Sequence, residues 1–393
     1  MTTARRILFV VPPFASHVFP TVAIGDALAA RGHAAAWVTY AQMASALPPG
    51  AKLYALSAQV SEAQIQALVD AAGASFLAGM KAFFEKMVFP LCADMLPGVE
   101  AAIDDFRPDA LVVDQMAFAG ALAARRRNLR WATSATTAVI LRDSFAQFPK
   151  VEAWLADHHA RIQREAGLAP VRWLDRSPAL VLFYLTRLLC GADQVYPPQY
   201  QFVGPVLAAR RDRDDFPWQE LRDLPRVYVS LGMAWVERGE QFFRIVAEAL
   251  ADLPLQVIVS APARFFPVVP ANFIVRPWVP AVRLYPKLDA VVTHAGTTVN
   301  EAFAHGLPAV VAPIAHDQSI FAEMAVRAGA AVRVSFPRLT ARELRAAVTT
   351  VLEDPSYRAA ARRVQASFRE AGGEQAAASA IEAMCAAPLA VER

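Results

Sequence analysis

At 393 residues, 55% of them hydrophobic and only 19% charged, the chain is long enough for two or three domains with sizeable cores and too apolar to be disordered. Its 39 basic residues nearly balance 36 acidic ones, for a net charge of +3, and no basic stripe is interleaved with aromatics, so nucleic acid is excluded as the expected partner. Three cysteines, Cys92, Cys190 and Cys385, lie far apart without Cys-x-x-Cys spacing, which argues against a disulfide framework and fits a reducing, cytoplasmic setting.

Arg5-Arg6 followed by Ile7 to Val11 has the start of a signal peptide, but Pro12-Pro13 ends the apolar run after five residues and a first buried strand is the better reading. A loop, Pro12 to His17, leads to a helix over Val18 to Ala30 closed by Gly32, then a strand over Ala34 to Thr39. Strand, helix and strand at this period predict a doubly wound parallel sheet. No Gly-x-Gly-x-x-Gly follows the first strand, so this half makes a poor dinucleotide site.

Ser61 to Asp105 reads as mostly helical and rich in large apolar side chains, Phe76, Leu77, Met80, Phe83, Phe84, Met87 and Phe89 among them. Most belong in a core, yet pockets for lipophilic molecules are lined the same way, and Phe76, Phe83 and Phe84 are candidates for such a wall. Asp109 to Val113 predicts a buried strand ending at Asp114, and Leu129 to Thr133 another, with Arg125 to Arg127 at a solvated helix end before it. Val151 to Ala166 predicts a helix carrying exposed His158 and His159, which diverge by about 100° and make a poor metal pair. Ala179 to Cys190, the longest apolar stretch, is broken by Arg187 and too short for a membrane span. Strands over Val181 to Leu185 and Gln201 to Val203 complete the first half. Gly204-Pro205 and the charged run Arg210 to Asp215 read as a linker, and Asp212-x-Asp214, lying in it rather than at a strand end, is not taken as a metal motif.

The second half restarts with a strand over Arg226 to Leu231, whose end, Ser230-Leu231-Gly232, is a candidate phosphate loop. Strands over Leu255 to Ser260 and Phe273 to Val275 follow, then Trp278-Val279-Pro280. Ala290 to Thr293 predicts a strand, His294-Ala-Gly296-Thr297-Thr298 a tight turn, and Val299 to His305 a helix stopped by Gly306. The free N–H groups of that helix's first turn make an anion site, which Gly296 lets a phosphate approach and to which Thr297, Thr298 and His294 add donors. The unit recurs as a strand over Ala309 to Ala312 and a loop holding Asp317-Gln318, aiming polar groups at the same sheet edge. Thr340 to Ala386 reads as helical with an interruption near Gly372-Gly373.

The order Trp-x-Pro, Thr-His-x-Gly, a Glu in the next helix, Gly-x-Pro and Pro-x-x-x-Asp-Gln, spread over Arg276 to Val334, resembles the donor signature of the nucleotide-sugar-dependent GT-B glycosyltransferases, in particular their bacterial natural-product branch. That resemblance implies an α/β fold of two Rossmann-like doubly wound domains facing across a cleft: an acceptor-binding domain over 1–206, a linker over 207–222, a donor domain over 223–372, and a final helix over 373–393 packing back on the first. It implies that Trp278 stacks on the nucleobase, that His294 with Gly296, Thr297 and Thr298 holds the diphosphate, that Glu301 takes ribose hydroxyls, and that Asp317 and Gln318 take hexose hydroxyls; Val279, Ser230 and Gly232 are further donor-binding candidates. Ala281 stands where the family often has Gln, and the spacing from His294 to Glu301 is one residue shorter than usual.

Transfer to an alcohol needs a base near neutral pH, which an imidazole supplies when a carboxylate behind it fixes its tautomer. His17 follows the first strand and Asp114 ends a later one, so both belong to one carboxyl edge. In the similar family these positions are the catalytic base and its partner, and Phe14 and Met116 beside them join Phe76, Phe83 and Phe84 as acceptor-binding candidates. The expectation is an inverting, metal-independent transfer of a glucose-like hexose from UDP or dTDP to a small lipophilic natural product. The nucleotide sugar is a co-substrate and no cofactor is implied. Glu301 can use both ribose hydroxyls, which leans toward UDP. A nucleotide-sugar epimerase of the same fold, or a non-catalytic sugar-nucleotide-binding protein, are the alternatives, and monomer and homodimer are both open.

Overall fold

Short runs rich in Val, Ile, Leu and Phe form the central strands, which are covered on both faces, and thirteen strands organise the residues that the computed structural model describes: 3–57, 76–141, 148–207, 215–232, 236–315 and 317–388. β1 (Arg6–Val10), β2 (Ala34–Tyr40), β3 (Lys52–Leu56), β4 (Ala110–Asp114), β5 (Arg130–Ala135), β6 (Leu180–Phe183) and β7 (Tyr200–Phe202) form one parallel sheet in the order β3-β2-β1-β4-β5-β6-β7. β8 (Arg226–Ser230), β9 (Gln256–Ser260), β10 (Phe273–Arg276), β11 (Ala290–Thr293), β12 (Ala309–Val311) and β13 (Ala331–Arg333) form a second, in the order β10-β9-β8-β11-β12-β13, also parallel. The chain divides into two compact units, one of Met1–Thr186, Asp193–Ala208 and Ala371–Arg393, the other of Arg187–Ala192 and Ala209–Glu370.

The helices are α1 (Ala15–Ala30), α2 (Phe76–Phe83), α3 (Phe89–Phe106), α4 (Phe118–Arg126), α5 (Pro149–Glu165), α6 (Arg187–Cys190), α7 (Glu240–Leu250), α8 (Ala281–Leu284), α9 (Thr297–Ala304), α10 (Gln318–Arg327), α11 (Ala341–Glu353), α12 (Pro355–Ala371) and α13 (Gly373–Ala386). In the first unit the alternation of the strands sorts side chains between two cores. Leu8, Val10, Leu111 and Val113 pack with residues of α3 and α4, while Ile7, Phe9, Ala110 and Val112 pack with α1 and with Ala377, Ile381 and Met384 of α13. Glu382 of α13 is further held by Arg31 and His33, at 2.7 and 2.8 Å.

Several expectations need correction. His17 is not in a loop, because α1 starts at Ala15 and the His17 N–H already bonds the Phe14 carbonyl at 2.9 Å. His159 is not exposed. It is 2% exposed, wedged between the rings of Phe118 and Trp173, and its Nδ1 accepts the Leu174 N–H at 3.0 Å, because the chain after α5 folds back over that face. His158 is half-buried and stacked on Phe89 at 4.7 Å. The arginines at the end of α4 are paired rather than merely solvated: Arg125 reaches Gln163 and the Ala169 carbonyl, Arg126 meets Glu100 at 2.7 Å, and Arg127 meets Asp104 at 2.8 Å. The C-terminal helical stretch breaks once more than expected, at Asp354, since a residue before proline is pushed out of the helical region and the Asp354 carboxylate then caps Ser356 at 2.8 Å. Most of Ser61 to Phe76 and the linker's Arg210 to Asp214, with Asp212 and Asp214, lie outside the described residues. Among the described residues no helix is long and apolar enough to cross a membrane.

Candidate active site

In an open parallel sheet the chain leaves neighbouring strands in opposite directions where the strand order reverses, and a crevice opens at their carboxyl ends. In the first sheet that point lies between β1 and β4. His17, in the first turn of α1, and Asp114, the last residue of β4, meet there with Nδ1 2.9 Å from Oδ2. The carboxylate is 1% exposed and the histidine 8%, so the pair is shielded from water while the ring keeps an open edge. The other carboxylate oxygen, Oδ1, accepts the Met116 N–H at 2.9 Å, which fixes the carboxyl plane. β5 lies beside β4 and adds Thr136 just past its end, with Oγ1 2.8 Å from His17 Nδ1 and 3.1 Å from Asp114 Oδ2. Sequence reasoning missed this residue. Its position, one step beyond a strand end on the edge that carries His17 and Asp114, was the signal available.

The aromatic candidates divide. Phe14 is half-buried with its ring 5.4 Å from that of His17, and Met116 is half-buried beside Asp114. Phe83 and Phe84 are half-buried and edge-on at 6.0 Å, with Phe84 also against Phe89 and Trp154. Phe83 precedes and Phe84 opens a π-helical turn, Phe84–Val88, a rare element that recurs at functional sites. The side chain of Phe76 lies outside the described residues.

In the second sheet the order reverses between β8 and β11, whose ends Ser230 and Thr293 are paired. Gly232, at φ +67°, donates its N–H to Ser230 Oγ at 3.1 Å. The His294 ring lies between Gly232 and Gly296: a Cβ would sit 3.0 Å from its Cε1 at position 232 and 2.6 Å from its Nε2 at position 296. A side chain at either position would therefore crowd the ring. Burial pushes the imidazole down to about 4, only partly opposed by a hydrogen bond with the Ser230 backbone, so the ring is neutral at physiological pH. Ala295, between His294 and Gly296, is left-handed at φ +64°, a conformation costing on the order of 1–2 kcal/mol for a non-glycine residue. The Gly296 N-cap supplies no side-chain cap, and Thr297 and Thr298 stand exposed and half-buried at the start of α9.

One turn on, Glu301 is 5% exposed and its Oε2 accepts the hydroxyl of buried Tyr285 at 2.9 Å. Tyr285, another residue the sequence did not single out, stacks on His305 at 5.2 Å. Trp278 is half-buried after β10, whereas the Val279 side chain is 5% exposed among Leu284, Tyr285 and Leu288, leaving its backbone for any ligand contact. Asp317 is the N-cap residue of α10. Gln318, 4% exposed, accepts the N–H groups of Ile314 and Ala315 at 2.7 and 3.0 Å and so cinches the loop after β12.

Residues 224–369 match the family model described as UDP-glucoronosyl and UDP-glucosyl transferase. The chain is 26% identical to the NDP-glycosyltransferase YjiC of Bacillus subtilis (strain 168), over 94% of this chain and 95% of that one. It is 29% identical to the demethyllactenocin mycarosyltransferase of Streptomyces fradiae, over 96% and 86%. Among solved structures, the glycotransferase of kitacinnamycin superposes with a TM-score of 0.82 at 25% identity, covering 98% of this chain and all of that one.

Proposed function

Starting from a chain that is a GT-B glycosyltransferase of the UDP-glycosyltransferase family, related to those of natural-product biosynthesis, we propose that it moves a glucose-like hexose from UDP or dTDP to a hydroxyl of a small lipophilic natural product. The observation that carries this reading is the contact of His17 Nδ1 with the buried Asp114 carboxylate at 2.9 Å. A carboxylate on Nδ1 directs the imidazole proton to that nitrogen and leaves the Nε2 lone pair to act as base. As the acceptor oxygen attacks the anomeric carbon, its proton passes to Nε2, the bond from that carbon to the diphosphate oxygen breaks, and the electron pair leaves with the diphosphate. Displacement from the opposite face inverts the centre. Asp114 stabilises the imidazolium that forms.

In the second unit the first-turn N–H groups of α9 and the neutral imidazole of His294 suit the growing charge of the leaving group, which is why the proposed reaction needs no metal. Glu301, Asp317 and Gln318 follow as the ribose- and hexose-binding groups, Trp278 as the platform for the base, and Phe14, Phe83, Phe84 and Met116 as acceptor contacts. A cytoplasmic enzyme acting on free small molecules fits this chemistry.

A product assay with sugar nucleotides and extracted lipophilic metabolites tests the reading. Release of nucleoside diphosphate that requires acceptor and persists in chelator is expected. A new sugar nucleotide formed without acceptor, or activity restored to a chelated enzyme only by magnesium, would refute it.

A further inference from the structure

We propose that Thr136 is a positioning residue for His17, closing a three-membered hydrogen-bond ring that holds the imidazole with its proton on Nδ1 and its Nε2 turned to the acceptor; the proposal rests on the reading of His17 as the base. Three atoms form the ring: His17 Nδ1, Asp114 Oδ2 and Thr136 Oγ1, with separations of 2.9, 2.8 and 3.1 Å. A carboxylate oxygen only accepts, so the single hydroxyl proton of Thr136 goes to Asp114 Oδ2. The hydroxyl then presents only lone pairs to His17. Both neighbours of Nδ1 are acceptors, and one assignment satisfies all three groups: the proton resides on Nδ1 and is shared between two oxygens. The alternative tautomer would face the Nδ1 lone pair with the negative oxygen of Asp114.

The threonine is itself fixed. The next residue, Thr137, donates its N–H to Gln115 Oε1 at 3.2 Å and accepts from Gln115 Nε2 at 2.6 Å, and both side chains are buried. Two rungs, Asp114 to Thr136 and Gln115 to Thr137, therefore tie the ends of β4 and β5 together just past their last backbone pairing. A carboxylate partner alone leaves the imidazole free to swing about one bond. A second acceptor out of line with the first removes that freedom, and orientation of this kind is a large part of what a base contributes.

The test uses Thr136→Val, which keeps the shape, and Thr136→Ser, which keeps the hydroxyl. Substituted phenols from 4-methoxyphenol to 4-nitrophenol serve as acceptors with UDP-glucose and dTDP-glucose. Thr136→Val should lower kcat for 4-methoxyphenol roughly 10- to 100-fold, a fraction of what a positioned base provides, with donor KM unchanged. The loss should fade for 4-nitrophenol, which ionises unaided, and Thr136→Ser should stay within about threefold of the parent. Thr136→Val should be silent when added to His17→Ala. A raised donor KM, an additive loss on His17→Ala, or no rescue by serine would overturn the proposal. If His17→Ala were as active as the parent, the base reading itself would fail, and a second measurement then decides the positioning role alone. The low-field proton resonance of His17 Nδ1 in histidine-labelled enzyme should persist in Thr136→Ser and broaden by faster exchange in Thr136→Val; an unchanged resonance in the valine variant would contradict the ring.

Discussion

Trp278 follows the end of β10 half-buried, outside the core that takes the Val279 side chain. Stacking of a base on such a ring is worth about 1–3 kcal/mol, so Trp278→Ala should weaken donor binding on the order of 10- to 100-fold in calorimetry while leaving the pH dependence of transfer unaltered. Unchanged donor affinity would remove the tryptophan from the proposed site. At this scale the pairing of His17 with Asp114 was legible because both positions fall on one carboxyl edge of the sheet and match the pattern of the similar family, not because of either residue type alone. Thr136 and Tyr285 were not, because a hydroxyl acquires a role only from its neighbours. Thr136 matters through two atoms contributed by positions 17 and 114, and no local pattern announces that convergence. The exposure expected of His159 failed for a related reason, since only the fold brings the chain after α5 back over it.

The turn between β11 and α9 closes tightly around His294, with Gly296 and a left-handed Ala295 in the turn and Gly232 after β8 against the other side of the ring. The imidazole stays neutral there because burial lowers it to about 4 from the ordinary value near 6.5. Between those values the unfolded chain binds a proton that the folded chain refuses, so stability falls as pH drops through that window and is indifferent to this group above it. Replacing His294 with Asn should flatten the decline between pH 6.5 and about 4 in urea midpoints. His159, shifted the same way by burial, accounts for part of what slope remains. An equal decline in the variant would mean that His294 titrates normally. Strands were the most legible elements, because β1, β4, β8 and β11 each carry a continuous, mostly apolar run that is buried on both faces. The edge strands β3 and β13 escaped notice. β3 has no fully buried residue and β13 has one, so neither carries the continuous apolar run by which a buried parallel strand is recognised.

Both parallel sheets bring candidate site residues to the point where strand order reverses, the first a histidine–carboxylate pair, the second a glycine-framed imidazole before a helix N-terminus. The first unit is completed by chain from the far end of the sequence, since α13 covers the face of α1 and is tied to it through Glu382. Gly372 and Gly373 marked that helix's beginning in the sequence, but the short segment Arg187–Ala192, which groups with the second unit although it lies between β6 and β7, had no signal in composition. The account assigns proton removal to the first unit and the grip on the nucleotide sugar to the second. His17→Ala separates these tasks most directly, with transfer to hydroxyl acceptors and affinity for the sugar nucleotide measured on the same preparation. Transfer should fall by roughly 100- to 10,000-fold, the contribution of a positioned base, with donor affinity unchanged. Undiminished transfer, or an equal fall in donor affinity, would contradict the division.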